Sequence, residues 1–185
     1  VPPPDEGDFI YQYDELYPRG FDAHQIAAAV EQKICGYQFE AFIIDAHAAR
    51  QSLIGIARTM YSVYMEAFQK RCLKSRQTGS GFLMGSDDTA SRQDLVRQHL
   101  SVRADGTSRY RLWKPTCPNT IREFGRYRKQ HDSQGIITDK AAKGNDHEMN
   151  CLEYWVAYNP KYHSPDKKSF TGSAAFRAFT NFMSR

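Results

Sequence analysis

The sequence predicts an α/β fold, and three observations carry the prediction. Residues 8–17 are aromatic-rich and roughly alternating, as a strand is. Residues 22–37 place Ile26, Ala27, Val30 and Ile34 on one stripe at helical spacing. Glu40-Ala-Phe-Ile-Ile-Asp45 is then a short apolar run of the kind buried in parallel sheets. Strand, helix and strand in that order make a crossover unit.

Each element has a local reason. Pro18-Arg-Gly20 breaks the first strand, Asp22 is a good N-cap for the helix, and Gly36 stands where that helix should stop. Residues 52–72 read as a helix carrying Leu53, Ile56, Met60, Val63, Tyr64 and Phe68. Residues 74–80 read as a loop, and Phe82-Leu-Met84 as a short strand. Ser91 to Val102 reads as a helix with Leu95, Val96, His99 and Leu100 along one face. Gly106 turns the chain into a strand at 109–113. Asn119 is placed to cap a helix containing Ile121, Phe124 and Tyr127. Residues 130–144 read as a polar loop or small hairpin. Asp146 to Tyr158 is the last helix, with Pro160 stopping it.

Composition sets bounds. At 185 residues the chain has room for one domain with its own core. Its 41% hydrophobic and 13% aromatic content excludes a disordered polymer. A net charge of +4 permits a nucleic-acid partner without demanding one. Cys35, Cys72, Cys117 and Cys151 show no CxxC spacing, which argues against a zinc site, and their scatter does not resemble a secreted disulfide framework. No apolar run approaches the roughly 20 residues that span a bilayer, so no membrane partner is expected. Val1-Pro-Pro-Pro4 has no signal-peptide pattern and no initiator Met, from which we expect the chain to begin inside a longer protein.

Among chemistries, a phosphate loop of the GxxxxGK[ST] type is missing, and no GxSxG elbow occurs. Cys-His chemistry stays open, with nothing local favouring it. A carboxylate metal site is the remaining idea. Asp45 ends a buried strand, where α/β sheets gather their sites, and Asp146 opens the last helix within Asn145-Asp-His-Glu148. Magnesium takes hard oxygen ligands from separate elements, and two such ions can cleave a phosphodiester. The plainer readings stand beside these. Asp45 could cap the segment after it, and Asp146 could be an N-cap with Glu148 complementing the helix dipole. Glu15 on the first strand could be a solvated edge residue. His47 and His147, next to the two aspartates, could orient a phosphate or be surface groups.

Several stretches, taken in order, resemble the C-terminal nuclease region of tailed-phage large terminases. They are Tyr13–Tyr17 followed by a helix and Phe42-Ile-Ile-Asp45-Ala46, then Gly85–Asp88 leading into Arg92–Arg97. Next come Gly106–Trp113, Thr116–Asn119 and Ile121–Tyr127, and last Lys143–His147 with Leu152 and Tyr154. The resemblance runs to about Asn159 and implies a ribonuclease-H-like mixed central sheet flanked by helices, lacking its first strands. Residues 1–159 would form this domain, and 160–185 an appended tail.

The resemblance further implies a DNA endonuclease that cuts concatemeric duplex DNA during packaging, in the host cytoplasm, with two Mg²⁺ or Mn²⁺ ions. Asp45 would be the second acidic ligand and Asp146 the third. The first acid is expected upstream of Val1, with Asp5 or Asp8 as substitutes. Arg50, Arg92, Arg97, Arg126 and Arg128 would contact phosphates. Partners would be duplex DNA, the portal, the small terminase subunit and an N-terminal ATPase domain of the same protein. Two departures count against an intact site: Asn150 stands where family members often carry a further Asp, and Glu153 where a basic residue is common. A non-catalytic DNA-binding or assembly module of the packaging machinery is the alternative. An unrelated α/β enzyme acting on small phosphorylated substrates ranks below it.

Overall fold

The computed structural model describes residues 9–34, 38–53, 57–131, 133–141 and 146–161. They form a mixed α/β structure. The elements are β1 (Ile10–Gln12), α1 (Ala23–Ile34), β2 (Ile43–Ile44), α2 (Ala46–Arg50), α3 (Met60–Lys70) and β3 (Leu83–Met84). Then follow α4 (Thr89–Leu100), β4 (Tyr110–Leu112), α5 (Pro118–Phe124), β5 (Lys129–His131), β6 (Ile137–Ala141) and α6 (His147–Tyr158).

Among the described residues the strands pair only in twos. β1 lies parallel to β4, β2 lies parallel to β3, and β5 with β6 forms an antiparallel hairpin. The expected single central sheet is therefore not formed by these residues. The strands are also shorter than the apolar runs suggest. The predicted strand at 8–17 is regular only over Ile10–Gln12, so Glu15 lies beyond the strand rather than on it. The apolar run at 40–45 is regular strand only over Ile43–Ile44; the Phe42 carbonyl still accepts from the Leu83 amide at 2.8 Å while its ring packs into the core.

Helix boundaries follow their caps. The Asp22 amide donates to Gln25 Oε1 at 2.9 Å and the Gln25 amide to Asp22 Oδ1 at 2.8 Å, a reciprocal capping box that starts α1 at Ala23. The helix expected at 52–72 is formed only over Met60–Lys70: Ser52 bridges to Thr59, Thr59 caps α3, and the short α2, capped by Asp45, precedes the expected range. Asn119 does not cap α5. Cys117 holds that position with Pro118 following it, and Asn119 lies inside the first turn. α6 starts after Asp146 and ends at Asn159, a left-handed residue with φ 53°, immediately before Pro160. Gly36, Ile56 and residues 162–185 of the tail lie outside the described residues.

Two clusters form the core. In one, α1 and α3 pack through Ala23, Ala27, Ala67 and Phe68 against Phe42 and Leu73. In the other, Val96 of α4, Tyr110 of β4 and Met149, Leu152 and Val156 of α6 pack together. α6 joins the clusters, because it packs on α4 and α5 and also touches β2. None of the described helices is long and apolar enough to cross a membrane.

Candidate functional site

Asp45 follows the carboxyl end of β2, where a parallel strand hands over to a helix. Its Oδ1 accepts from the Ala48 amide at 2.8 Å, and the Tyr154 hydroxyl donates to its Oδ2 at 2.8 Å. Burial pushes the carboxyl up, but the Ala48 amide, the Tyr154 hydroxyl and the His47 amide outweigh it, so the group sits below its ordinary range. Tyr154 is pushed up to about 12 by burial and by its bond to Asp45. Its ring lies against Gly85, where an added Cβ would come within 2.1 Å of Tyr154 Cδ1. Glycine there lets β3 and α6 approach closely enough for Tyr154 to reach Asp45.

The Arg92 guanidinium lies over the Tyr154 ring, 4.3 Å from its centroid. Arg92 is buried, donates to the Ser86 carbonyl, and places Nε 3.4 Å from Glu153 Oε2. Glu153 Oε1 accepts from Tyr127, whose oxygen accepts from Gln93 at 2.9 Å. Glu153 thus has a structural reason: it is the counterion of a buried arginine supplied by α4. The expectation that Arg92 contacts DNA is corrected by the same geometry, since its guanidinium is enclosed and occupied.

The second group of acids lies around the starts of α5 and α6. Neither helix has a side-chain cap of its own. Glu15 serves α5 from afar, with Oε1 accepting from the Asn119 amide at 2.6 Å and Oε2 from the Thr120 amide at 2.8 Å. Burial raises the Glu15 carboxyl, yet these bonds bring it below its ordinary value. Glu123 serves α6: Oε2 accepts from the Glu148 amide at 2.8 Å and the Met149 amide at 3.3 Å, while Oε1 accepts from the Tyr17 hydroxyl at 2.9 Å. Glu148 is buried beside both. Burial, then Glu15, then Glu123 push its carboxyl up to about 7. A groove of about 490 Å³ between β1, α1 and α6 is lined in part by Glu15, Glu148 and Cys151.

The structure does not bring Asp45 and Asp146 together. Asp45 meets α6 at Tyr154, eight residues past Asp146 and so about 12 Å along the helix axis. Two divalent ions need several oxygen ligands at once. Among the described residues no group of three His, Cys, Asp or Glu side chains gathers to hold an ion. The described residues thus gather no ligand set for two ions.

The other expected site residues are dispersed. His47 is exposed on α2, and His147 is exposed with its ring 6.2 Å from that of Tyr17. Arg50 pairs with Asp87 at 2.9 Å, and Arg97 pairs with Asp94 one helical turn away. Arg126 and Arg128 are exposed just after α5, and Asn150 is half-buried within α6. Sequence reasoning missed Glu123 and the proton-retaining character of Glu148. No local signal pointed to either, because Asn119 and Asp146 stand in the chain as caps and only the structure shows that neither makes the cap bond. Comparisons with protein-family models, characterised proteins and solved structures gave no match.

Proposed function

We propose that this chain is the nuclease region of a DNA-packaging terminase of the tailed-phage type, built on a ribonuclease-H-like plan and acting on duplex DNA. One observation carries the reading. Three of the stretches that carry the sequence resemblance, around Asp45, Gly85 and Tyr154, meet at a single point, with Asp45 at a strand's carboxyl end. An acid in that place is where α/β folds do chemistry. In this reading Asp45 contributes to a Mg²⁺- or Mn²⁺-dependent site whose remaining ligands are not gathered by the described residues. The ATPase domain, portal and small subunit are the partners that go with it, in the host cytoplasm, and residues 161–185 would be the segment that docks to the portal.

The test is nicking and linearisation of supercoiled plasmid in Mn²⁺, Mg²⁺ and EDTA, beside Asp45→Ala and Asp146→Ala. Cutting that needs metal and disappears in Asp45→Ala is expected. Cutting that survives Asp45→Ala, or a folded chain that never cuts, would sink the catalytic reading. The second reading, a non-catalytic DNA-binding or assembly module, is favoured by the lack of a gathered ligand set among the described residues. It predicts duplex binding with no cutting in either metal.

A further inference from the structure

The segment from Asn119 to His131 carries Arg122, Arg126, Arg128 and Lys129 against one acid, Glu123. That acid is turned inward: it is 1% exposed and committed to the start of α6 and to the Tyr17 hydroxyl. Arg122 and Arg126 are left on the surface about 6 Å apart along the helical direction. Arg19 and Arg122 both lie against the Tyr17 ring, 5.8 and 5.7 Å from its centroid, and the exposed His147 ring approaches the same tyrosine.

Elsewhere exposed arginines are neutralised. Arg58 pairs with Glu66, Arg71 with Glu31, and Arg50 with Asp87. Arg19, Arg122, Arg126 and Arg128 form no ion pair with a carboxylate among the described residues. Burying Glu123 leaves the segment's own exposed charges all cationic, Asp146 before α6 being the neighbouring carboxylate, and tyrosine-backed guanidinium groups lose less freedom on binding than free chains would.

We propose that Tyr17, Arg19, Arg122, Arg126, Arg128 and His147 form a seat for the phosphodiester backbone of duplex nucleic acid. Arginine forks match phosphate oxygens bidentately. Such contacts carry no base information, so binding here is independent of sequence. The proposal rests on the DNA-acting reading but is separable from cutting, because it needs neither metal nor Asp45.

The experiment is fluorescence anisotropy of the full chain with a labelled duplex of about 30 base pairs in EDTA, across a salt series. The variants are Arg19→Ala/Arg122→Ala and Arg126→Ala/Arg128→Ala, with Arg58→Ala/Arg71→Ala as control. All six positions are solvent-facing, and circular dichroism melts check that each variant folds. Each seat pair should weaken binding about tenfold or more at low salt. Each should also lower the slope of log affinity against log salt by roughly 0.9 for every phosphate the variant no longer neutralises. The control should bind as the parent does. Unchanged affinity and slope in both seat pairs would overturn the proposal while leaving DNA binding and cutting intact. Equal competition by polyglutamate at matched charge would overturn it in favour of an acidic protein partner. A parent chain without salt-dependent binding would overturn it too, and plasmid cutting would then show whether the nuclease reading survives.

Discussion

Around Phe42, α1 and α3 close over β2 and β3 with aromatic rings and small apolar side chains. Around Met149, by contrast, α4, α5 and α6 close over β4 with Arg92, Glu123, Glu148 and Glu153 enclosed as well. In the first region Phe42 stands 5.0 Å from Phe68 and 5.8 Å from Phe82, centroid to centroid, and Ser75 supplies the buried polar side chain. The two halves are therefore held by different physics. Ring packing is non-directional and tolerates exchange at constant volume. The polar half is directional: each buried charge is stable only while its particular partner is present.

A matched pair of substitutions sets the two halves against each other most strongly. Phe42→Ala should cost about 3–5 kcal/mol in denaturant titration, since it leaves a cavity among the rings. Arg92→Met should cost about the same, because Glu153 is then a buried charge without a counterion. The halves should part at the second step. Adding Glu153→Leu to Arg92→Met should restore most of the stability, whereas no single polar change nearby should rescue Phe42→Ala. If the double variant is as unstable as Arg92→Met, the buried pair does more than hold charge.

Glu148 gives the next effect, read through pH. Its carboxyl is raised to about 7 in the fold, above the ordinary value of 4.5. Between those values the folded state holds a proton the unfolded chain has released, so this group's contribution to stability falls as pH rises from 4.5 to about 7. Glu148→Gln should remove that loss, gaining roughly 3 kcal/mol relative to the parent at about pH 8 and little at about pH 4. Thermal melts of both proteins across that range are the check, and a pH-independent difference would mean Glu148 titrates normally.

Gly85→Ala tests the junction of the halves. The added methyl collides with the Tyr154 ring, and a cost of about 1–3 kcal/mol is expected. The Tyr154 resonances in NMR spectra should shift as the hydroxyl withdraws from Asp45, and spectra matching the parent would show that the ring was not seated there. The smallest effect belongs to the first half. Asp22→Ala removes the capping box of α1 and should cost about 1 kcal/mol.

Much of the fold was legible in order and type. Asp22, Pro160 and the stripe of Ile26, Ala27, Val30 and Ile34 are local signals, readable because a cap or a period lies within a few residues of what it controls. The order strand, helix, strand was legible for the same reason, but the crossover unit read from it was not formed by the described residues, since β1 pairs with β4 and β2 with β3. Strand lengths and pairing were not, since an apolar run states that it is buried but not whether its backbone finds a neighbour. The candidate site was legible only at Asp45, a carboxylate ending an apolar run.

The α/β class, the succession of elements and the place of Asp45 at a strand's end were thus written in the chain itself. Only tertiary packing made Arg92 a buried counterion rather than a surface cation. Packing also set Glu15 and Glu123 to cap helices more than twenty residues away in the chain, and brought Asp45 to α6 at Tyr154 and not at Asp146. The reason is range. Propensity and capping act over one turn, whereas the partner of a buried charge is set by which segments the apolar clusters bring together, and no local pattern encodes that.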